Sequence, residues 1–164
     1  MNKGYITQGG IRCPAIIRYP PAFAPAQISH EFTTVMDIYP TLLEIGRIPY
    51  PYDKFQGRSV VPLRGQSWIQ HFSGKQAHVY GETSFNGWEL FGQCAIRRGN
   101  WKALMIPEPL GTGQWELFDL DKDPGEIYNL AETEKDKLEE MIELWEQYEN
   151  DAGVLLSPDI PRFN

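Results

Sequence analysis

The chain has 164 residues, a formal net charge of −7 and 13% aromatic residues, so it can fill one ordinary hydrophobic core and lacks the composition of a disordered protein. Its acidity and the lack of a Lys/Arg run argue against binding to nucleic acid or to an anionic membrane. No stretch is long and apolar enough to span a bilayer. No secretory signal follows Met1. If the chain is a fragment, the lack of a signal says nothing about export of the parent protein. The cellular compartment is therefore not determined.

Residues 15–19 are predicted to form the first element, a short buried strand that Pro20 closes. The pair Gly9-Gly10 before it indicates a tight turn of the backbone. A buried strand needs neighbouring strands, and no second strand-helix unit follows it. We therefore expect this part of the chain to be cut from a larger α/β sheet. The strand edge left exposed by such a cut is expected to make the fragment self-associate.

A helix is predicted over residues 31–45, where apolar residues recur at helical spacing. Pro40 lies inside this pattern, and proline is tolerated only in the first turn of a straight helix. The helix is therefore either kinked or begins near residues 37–39. Gly46 is expected to end it.

After a short helix at residues 67–72, the pattern changes to that of strands and one long helix. Four strands are predicted, at residues 78–83, 94–98, 101–106 and 115–119. The hairpin signal Arg98-Gly99-Asn100 indicates that they form an antiparallel meander. The long helix covers about residues 133–150, and its acidic face is interpreted as solvated rather than as a partner-binding surface.

Together these elements predict an α+β fold. A small antiparallel sheet is packed by a long C-terminal helix and is preceded by a strand-helix remnant of a larger α/β sheet. Residues 1–66 are assigned to the remnant of a large α/β catalytic domain, and residues 67–164 to a C-terminal subdomain.

The two cysteines, Cys13 and Cys94, lack metal-ligand spacing and are too few for a disulfide framework. Both lie in apolar, strand-like surroundings. We interpret them as two buried free thiols in preference to a disulfide.

Residues that could carry out catalysis are scarce in this sequence. It has no Gly-x-Ser-x-Gly elbow, no phosphate-binding glycine loop and no His-x-x-x-His pair. His30, His71 and His78 stand alone and are interpreted as surface or strand-flanking residues rather than metal ligands. Lys3 precedes a glycine-bearing loop, where an ammonium could face an anionic group. On physical grounds alone, a solvated lysine near the chain end is the preferred interpretation.

Four segments, taken in chain order, resemble the sulfatase family. They are Gly-Gly-Ile-Arg-Cys-Pro at residues 9–14, Asp-Ile-Tyr-Pro-Thr-Leu-Leu-Glu-Ile-Gly at residues 37–46, Ala-Ile-Arg-Arg-Gly-Asn-Trp-Lys at residues 95–102, and Glu-Leu-Phe-Asp-Leu-Asp-Lys-Asp-Pro-Gly-Glu-Ile-Tyr-Asn-Leu at residues 116–130. The second segment has one residue fewer before its glycine than the family pattern. A further segment at residues 87–92 resembles the bacterial arylsulfatase branch.

The resemblance implies a hydrolase of sulfate monoesters, with a formylglycine nucleophile made from Cys or Ser and a calcium ion that polarises the sulfate. The family's Cys/Ser-x-Pro-x-Arg motif and its calcium-binding Asp residues are absent from this sequence. The chain is therefore expected to be the C-terminal fragment of an arylsulfatase, with no catalytic residue of its own. It is expected to bind neither cofactor and to be inactive alone. Its expected partners are the N-terminal catalytic region of the parent and a small-molecule sulfate ester.

The resemblance also implies site residues. Lys3 matches the position of a lysine that contacts the sulfate in the family. Asn86, Trp88 and Glu89 are predicted to line the substrate pocket, although Trp88 could equally be a core or rim aromatic. Two other functions stay open: hydrolysis of phosphonate or phosphate esters by a parent of the same superfamily, and a stand-alone, non-catalytic module that binds sulfated glycans.

Overall fold

The computed structural model describes residues 4–156. The chain divides into two compact units, one formed by residues 1–14 and 82–164 and the other by residues 15–81. In chain order the elements are α1 (Gln8–Ile11), a 3-10 turn (Val35–Asp37), α2 (Ile38–Gly46), β1 (Lys54–Phe55), β2 (Arg58–Ser59), α3 (Ile69–Phe72), β3 (Phe85–Leu90), β4 (Gln93–Arg98), β5 (Trp101–Met105), β6 (Trp115–Asp119) and α4 (Lys135–Ala152).

The unit of residues 1–14 and 82–164 is built on a four-stranded antiparallel sheet with the strand order β3-β4-β5-β6. Gly99, with φ of 57°, makes the tight hairpin between β4 and β5, where Arg98 pairs with Trp101. One face of the sheet packs against α4. The predicted α+β fold, with a small antiparallel sheet under a long C-terminal helix, is confirmed.

The sheet has a separate apolar cluster on each face, because successive side chains of a strand point to opposite sides. The cluster under α4 contains Ala103 of β5 together with Met141 and Trp145 of the helix. The cluster on the other face contains Leu104 and is completed by a residue from the start of the chain. That residue is Ile6, whose side chain is fully buried. The segment before α1 therefore covers the face of the sheet that α4 leaves open.

In the unit of residues 15–81, α2 begins at Ile38, directly after the 3-10 turn. Pro40 thus lies in the first turn of α2, where its missing N–H removes no helical bond. This confirms the second of the two predicted arrangements. The helix ends at Gly46, and the left-handed residue that follows is Arg47, with φ of 53°. The predicted short helix before residue 72 is also present as α3.

Two predicted strands are wrong. Residues 15–19 form no strand, and Ile16 is fully exposed, because no neighbouring strand is there to pair with this segment. Residues 78–83 form no strand either, and β3 begins only at Phe85. In this segment the backbone bonds to a side chain instead of to a neighbouring strand. Glu31 accepts a hydrogen bond from the backbone N–H of Val79 at 3.0 Å.

Both cysteines are free thiols, as predicted, but only Cys94 is buried; Cys13 is exposed, because the segment around it does not enter a sheet. The predicted division near residue 66 concerned the domains of a longer parent, and it stays a prediction. Within residues 4–156, no helix combines the length and the apolar character needed to cross a membrane.

Candidate functional site: a side-chain clamp on residues 4–8

Lys102 is the most unusual side chain of the sheet, because it is a lysine with no exposed surface. It lies on β5 beside Leu104, on the face opposite α4. Its ammonium donates one hydrogen bond to the carbonyl oxygen of Ile6, at 2.7 Å, and another to Oε1 of Glu126, at 2.6 Å. A strand residue is thereby tied to the start of the chain and to a distant turn.

Glu126 supplies the opposite charge. Its side chain is only 4% exposed, and its backbone has a left-handed φ of 56°. The turn that holds it is fixed by Asp123, whose Oδ2 accepts the backbone N–H groups of Ile127 and Tyr128, both at 2.7 Å. The second carboxylate oxygen of Glu126 accepts the N–H of Gln8 at 2.6 Å. Both oxygens of this buried carboxylate are therefore used.

Gln93 of β4, which is 2% exposed, completes the arrangement. Its Nε2 donates to the carbonyl oxygen of Gly4 at 2.9 Å, and its Oε1 accepts the N–H of Ile6 at 3.3 Å. Gln93, Lys102 and Glu126 together form what we call the clamp. The clamp makes four hydrogen bonds to backbone atoms of residues 4, 6 and 8.

The electrostatics of the clamp are those of a buried ion pair. Burial lowers the pKa of the Lys102 ammonium, and the neighbouring carboxylate of Glu126 opposes that shift. Removing one partner of a buried pair leaves an uncompensated charge and costs about 3–5 kcal/mol. Because the hydrogen bonds of both groups go to protein atoms, the pair is suited to holding backbone in place rather than to transferring protons to a ligand.

An open cleft of about 300 Å³ adjoins the clamped segment. Its walls combine residues at the start of α1, apolar residues of the sheet, and polar residues of the sheet and its loops. The lining residues are Thr7, Gly9, Leu104, Ile106, Leu110, Gly111, Thr112, Glu116, Phe118, Gly125 and Glu126. The Thr112 hydroxyl lies 3.2 Å from Glu116 Oε1 and donates to it. The clamp residue Glu126 is thus also part of the cleft wall.

The predicted site residues are distributed as follows. Lys3 lies outside the described residues. Asn86 and Trp88 lie on β3, on the face opposite α4; Asn86 is buried, and Trp88 packs against the cluster around Leu104. Glu89 points to the other face and accepts the N–H of Gly92 at 2.9 Å. None of the three residues on β3 lines the cleft described above, and their assignment to a substrate pocket stays a prediction.

Sequence reasoning quoted Lys102 and Glu126 as parts of matching segments but missed their role. One signal was available, since alternation along β5 places Lys102 on the same face as the apolar Leu104. A lysine in the middle of such a strand requires a charged partner. No local sequence pattern identifies Glu126 as that partner. No local pattern indicates that residues 4–8 are the segment that the pair holds.

Within the part of the chain that the structure describes, no group of three or more His, Cys, Asp or Glu side chains is placed to hold a metal ion. The residues present therefore do not fit a calcium site. Of the three histidines, His78 lies 3.1 Å from Glu31, His30 is exposed, and Nδ1 of His71 is buried without a hydrogen-bond partner.

Comparison with known proteins finds sulfatases, both among protein families and among individual relatives. A family model described as N-sulphoglucosamine sulphohydrolase, C-terminal, matches residues 1–151. An uncharacterized sulfatase of Schizosaccharomyces pombe is 56% identical over 160 residues, which are 97% of this chain. Arylsulfatase A of Bos taurus is 27% identical over 166 residues, covering 90% of this chain. The fungal origin of the first relative does not support the predicted bacterial arylsulfatase branch.

A solved structure of BT4656 in complex with its substrate D-glucosamine-2-N,6-O-disulfate matches with a TM-score of 0.67 at 20% identity, over 91% of this chain and 30% of that one. At this level of identity the match establishes the fold alone. The chain spans 28% of the length of the fungal relative and 32% of that of the bovine one.

Proposed function

Because the chain belongs to the N-sulphoglucosamine sulphohydrolase C-terminal family, we propose that it is the C-terminal part of an arylsulfatase, which hydrolyses sulfate monoesters. The family match over residues 1–151 is the observation that carries this proposal. The sulfatase relatives support the sulfate ester, and the specificity for aryl esters is our proposal from the matching segments.

The contribution of this chain to the reaction would be made by Lys3. Its ammonium would neutralise charge on the sulfate as a point charge with three donors. The support for this role is the family position of Lys3, six residues before Gly9, and the clamp that begins at the next residue, Gly4. The four clamp bonds would hold the backbone directly after Lys3 against the sheet.

We propose that the formylglycine nucleophile and the calcium ion belong to the N-terminal region of the parent. When bound there, calcium would polarise the sulfate ester. The described residues of this chain do not form a calcium site, so no step of the reaction is assigned to the ion here. On this proposal the isolated chain is inactive.

The surface of α2 and of the 3-10 turn before it supports the proposed N-terminal partner. Several large apolar side chains are exposed there: Val35, Met36, Ile38, Tyr39 and Leu42. Several exposed apolar side chains on one short stretch of the chain are typical of a contact surface. We propose that the N-terminal region of the parent covers it, and that the isolated chain self-associates through the same surface.

The proposal is tested by assaying the full-length parent on an aryl sulfate and on a phosphonate monoester under the same conditions. We expect kcat/KM for the sulfate to exceed that for the phosphonate. A large preference for the phosphonate would reject the sulfatase assignment and favour the phosphonate hydrolase. Calorimetric titration of the isolated chain with a sulfated glycan tests the binding module, and we expect no heat of binding.

A further inference from the structure

We propose that Gln93, Lys102 and Glu126 are positioning residues of the parent hydrolase, which fix residues 4–8 and thereby set the place of the sulfate-contacting Lys3. This inference rests on the proposed function, because it assigns Lys3 its role. It goes further by assigning a task to three residues that make no proposed contact with the substrate.

The first argument is the cost of the arrangement. A buried ion pair is weak evidence for stability, since well-packed apolar side chains of similar volume often stabilise a protein as much or more. Lys102 has no exposed surface and the Glu126 side chain is 4% exposed, so both charges carry a desolvation penalty. The presence of this costly ion pair is explained if its directional hydrogen bonds are needed to hold the backbone of residues 4–8.

The second argument is the target of those hydrogen bonds. All four go to the backbone of residues 4, 6 and 8, in the turn and bend that lead into α1. Gln93, on β4, and Lys102, on β5, approach from the sheet, and Glu126 approaches from the turn after β6. Side chains from two strands and one turn thus fix this non-repetitive segment at three of its residues.

The third argument is a comparison with a pair of the same composition elsewhere. Lys137 and Glu140 also form an ion pair, with Nζ 2.5 Å from Oε2, but their side chains are 28% and 31% exposed. Both lie on α4, three residues apart, and contact side chains of the sheet beneath the helix, Arg98 and Trp101, not residues 4–8. The Lys102–Glu126 pair instead joins elements that are far apart in the sequence, so its removal should affect the placement of residues 4–8.

The test uses the full-length parent with Lys102→Met/Glu126→Met, which removes both charges while nearly preserving side-chain volume. Lys137→Met/Glu140→Met is the matched control. Lys3→Ala is introduced into the wild type and into both double variants, and kcat and KM for an aryl sulfate are measured. This design forms a double-mutant cycle, which isolates the dependence of Lys3 on the clamp.

In the wild type and in the control we expect Lys3→Ala to lower kcat/KM on the order of 100-fold. In the clamp variant we expect the same substitution to lower it less than about tenfold, because Lys3 is already misplaced. Equal effects of Lys3→Ala in all three backgrounds would overturn the proposal, since a merely structural clamp would change stability without changing the effect of Lys3.

Amide hydrogen exchange separates this inference from the proposed function. We expect the N–H groups of Ile6 and Gln8 to exchange at least about tenfold faster in the clamp variant than in the control, whether or not the parent hydrolyses a sulfate ester. Unchanged protection would reject the clamp. If the double variant does not fold, Gln93→Leu removes two of the four bonds without disturbing the ion pair, and the same cycle is run with it.

Discussion

Tyr148 of α4 packs so closely over Gly87 of β3 that a Cβ atom built on Gly87 would lie 2.4 Å from Cδ1 of Tyr148. The ring fills the space where a side chain would stand, so the long helix lies directly on the edge strand. This contact explains a glycine in the middle of a strand, where glycine otherwise weakens pairing.

The substitution Gly87→Ala is therefore expected to destabilise the protein by about 1–3 kcal/mol, because the added methyl group displaces the Tyr148 ring. Urea unfolding followed by tryptophan fluorescence measures the change in the free energy of unfolding. In a Tyr148→Ala background the same substitution should cost much less. An equal cost in both backgrounds would show that the contact does not determine the choice of glycine.

The thiols are expected to differ in reactivity. Cys13 is exposed, whereas burial raises the pKa of the Cys94 thiol to about 12. We predict that a disulfide reagent at pH 8 labels one thiol per native chain rapidly and the second only after unfolding. Cys13→Ser should remove the rapid phase. Rapid labelling of both thiols in the native protein would contradict the buried position of Cys94.

The Tyr80 hydroxyl donates to the buried carboxylate of Asp37, and burial together with this bond raises the pKa of Tyr80. We predict that Tyr80→Phe costs about 1.5–3 kcal/mol at pH 7, the value of a hydrogen bond to a charged group. The raised pKa keeps Tyr80 neutral in the folded state. Its stabilising contribution is therefore complete below the unfolded pKa, near 10, and is lost as the pH rises above it.

Urea unfolding at pH 8 and above pH 10 measures both effects for Tyr80. The difference between wild type and Tyr80→Phe should shrink at the higher pH. Tyr128→Phe, at a side chain that is 70% exposed, serves as the control. A difference that does not depend on pH would mean that Tyr80 ionises equally in the folded and unfolded states.

The exposed apolar residues of α2 predict self-association of the isolated chain. Leu42, which is 58% exposed, is a suitable position for a charge. Leu42→Glu should shift the mass measured by light scattering towards that of a monomer, because association would have to bury the new carboxylate. A wild-type chain that is monomeric at all concentrations would contradict this prediction.

Elements with local signals could be predicted from the sequence. The strand at residues 115–119 is predicted with its observed bounds, because a short run rich in apolar residues is followed there by a proline turn. The strand predicted at residues 78–83 failed because its polar partners are distant in sequence. Glu31 is 48 residues from Val79, and Asp37 is 43 residues from Tyr80. No local pattern reports such bonds.

In the candidate site, too, local signals could be predicted from the sequence and contacts between distant residues could not. Family resemblance indicated the function through short segments, each recognisable by itself. The clamp depends on a hydrogen bond between Lys102 and Ile6, which are 96 residues apart in the sequence. It also depends on the burial of Lys102 by neighbours from three regions of the chain. Pairing over that distance is a property of the folded sheet, so only the structure brings these residues together.

We propose that Lys3 of this chain contacts the sulfate in a sulfate ester hydrolase. The most direct measurement is inorganic sulfate released from an aryl sulfate by the full-length parent, compared between wild type, Lys3→Ala and the control Lys122→Ala. The side chain of Lys122 is 81% exposed and forms an ion pair with Asp119, at 2.8 Å. We predict sulfate release by the wild type, a loss of kcat/KM on the order of 100-fold for Lys3→Ala, and no change beyond about twofold for the control. No sulfate release by the wild type, or full activity of Lys3→Ala, would contradict the claim.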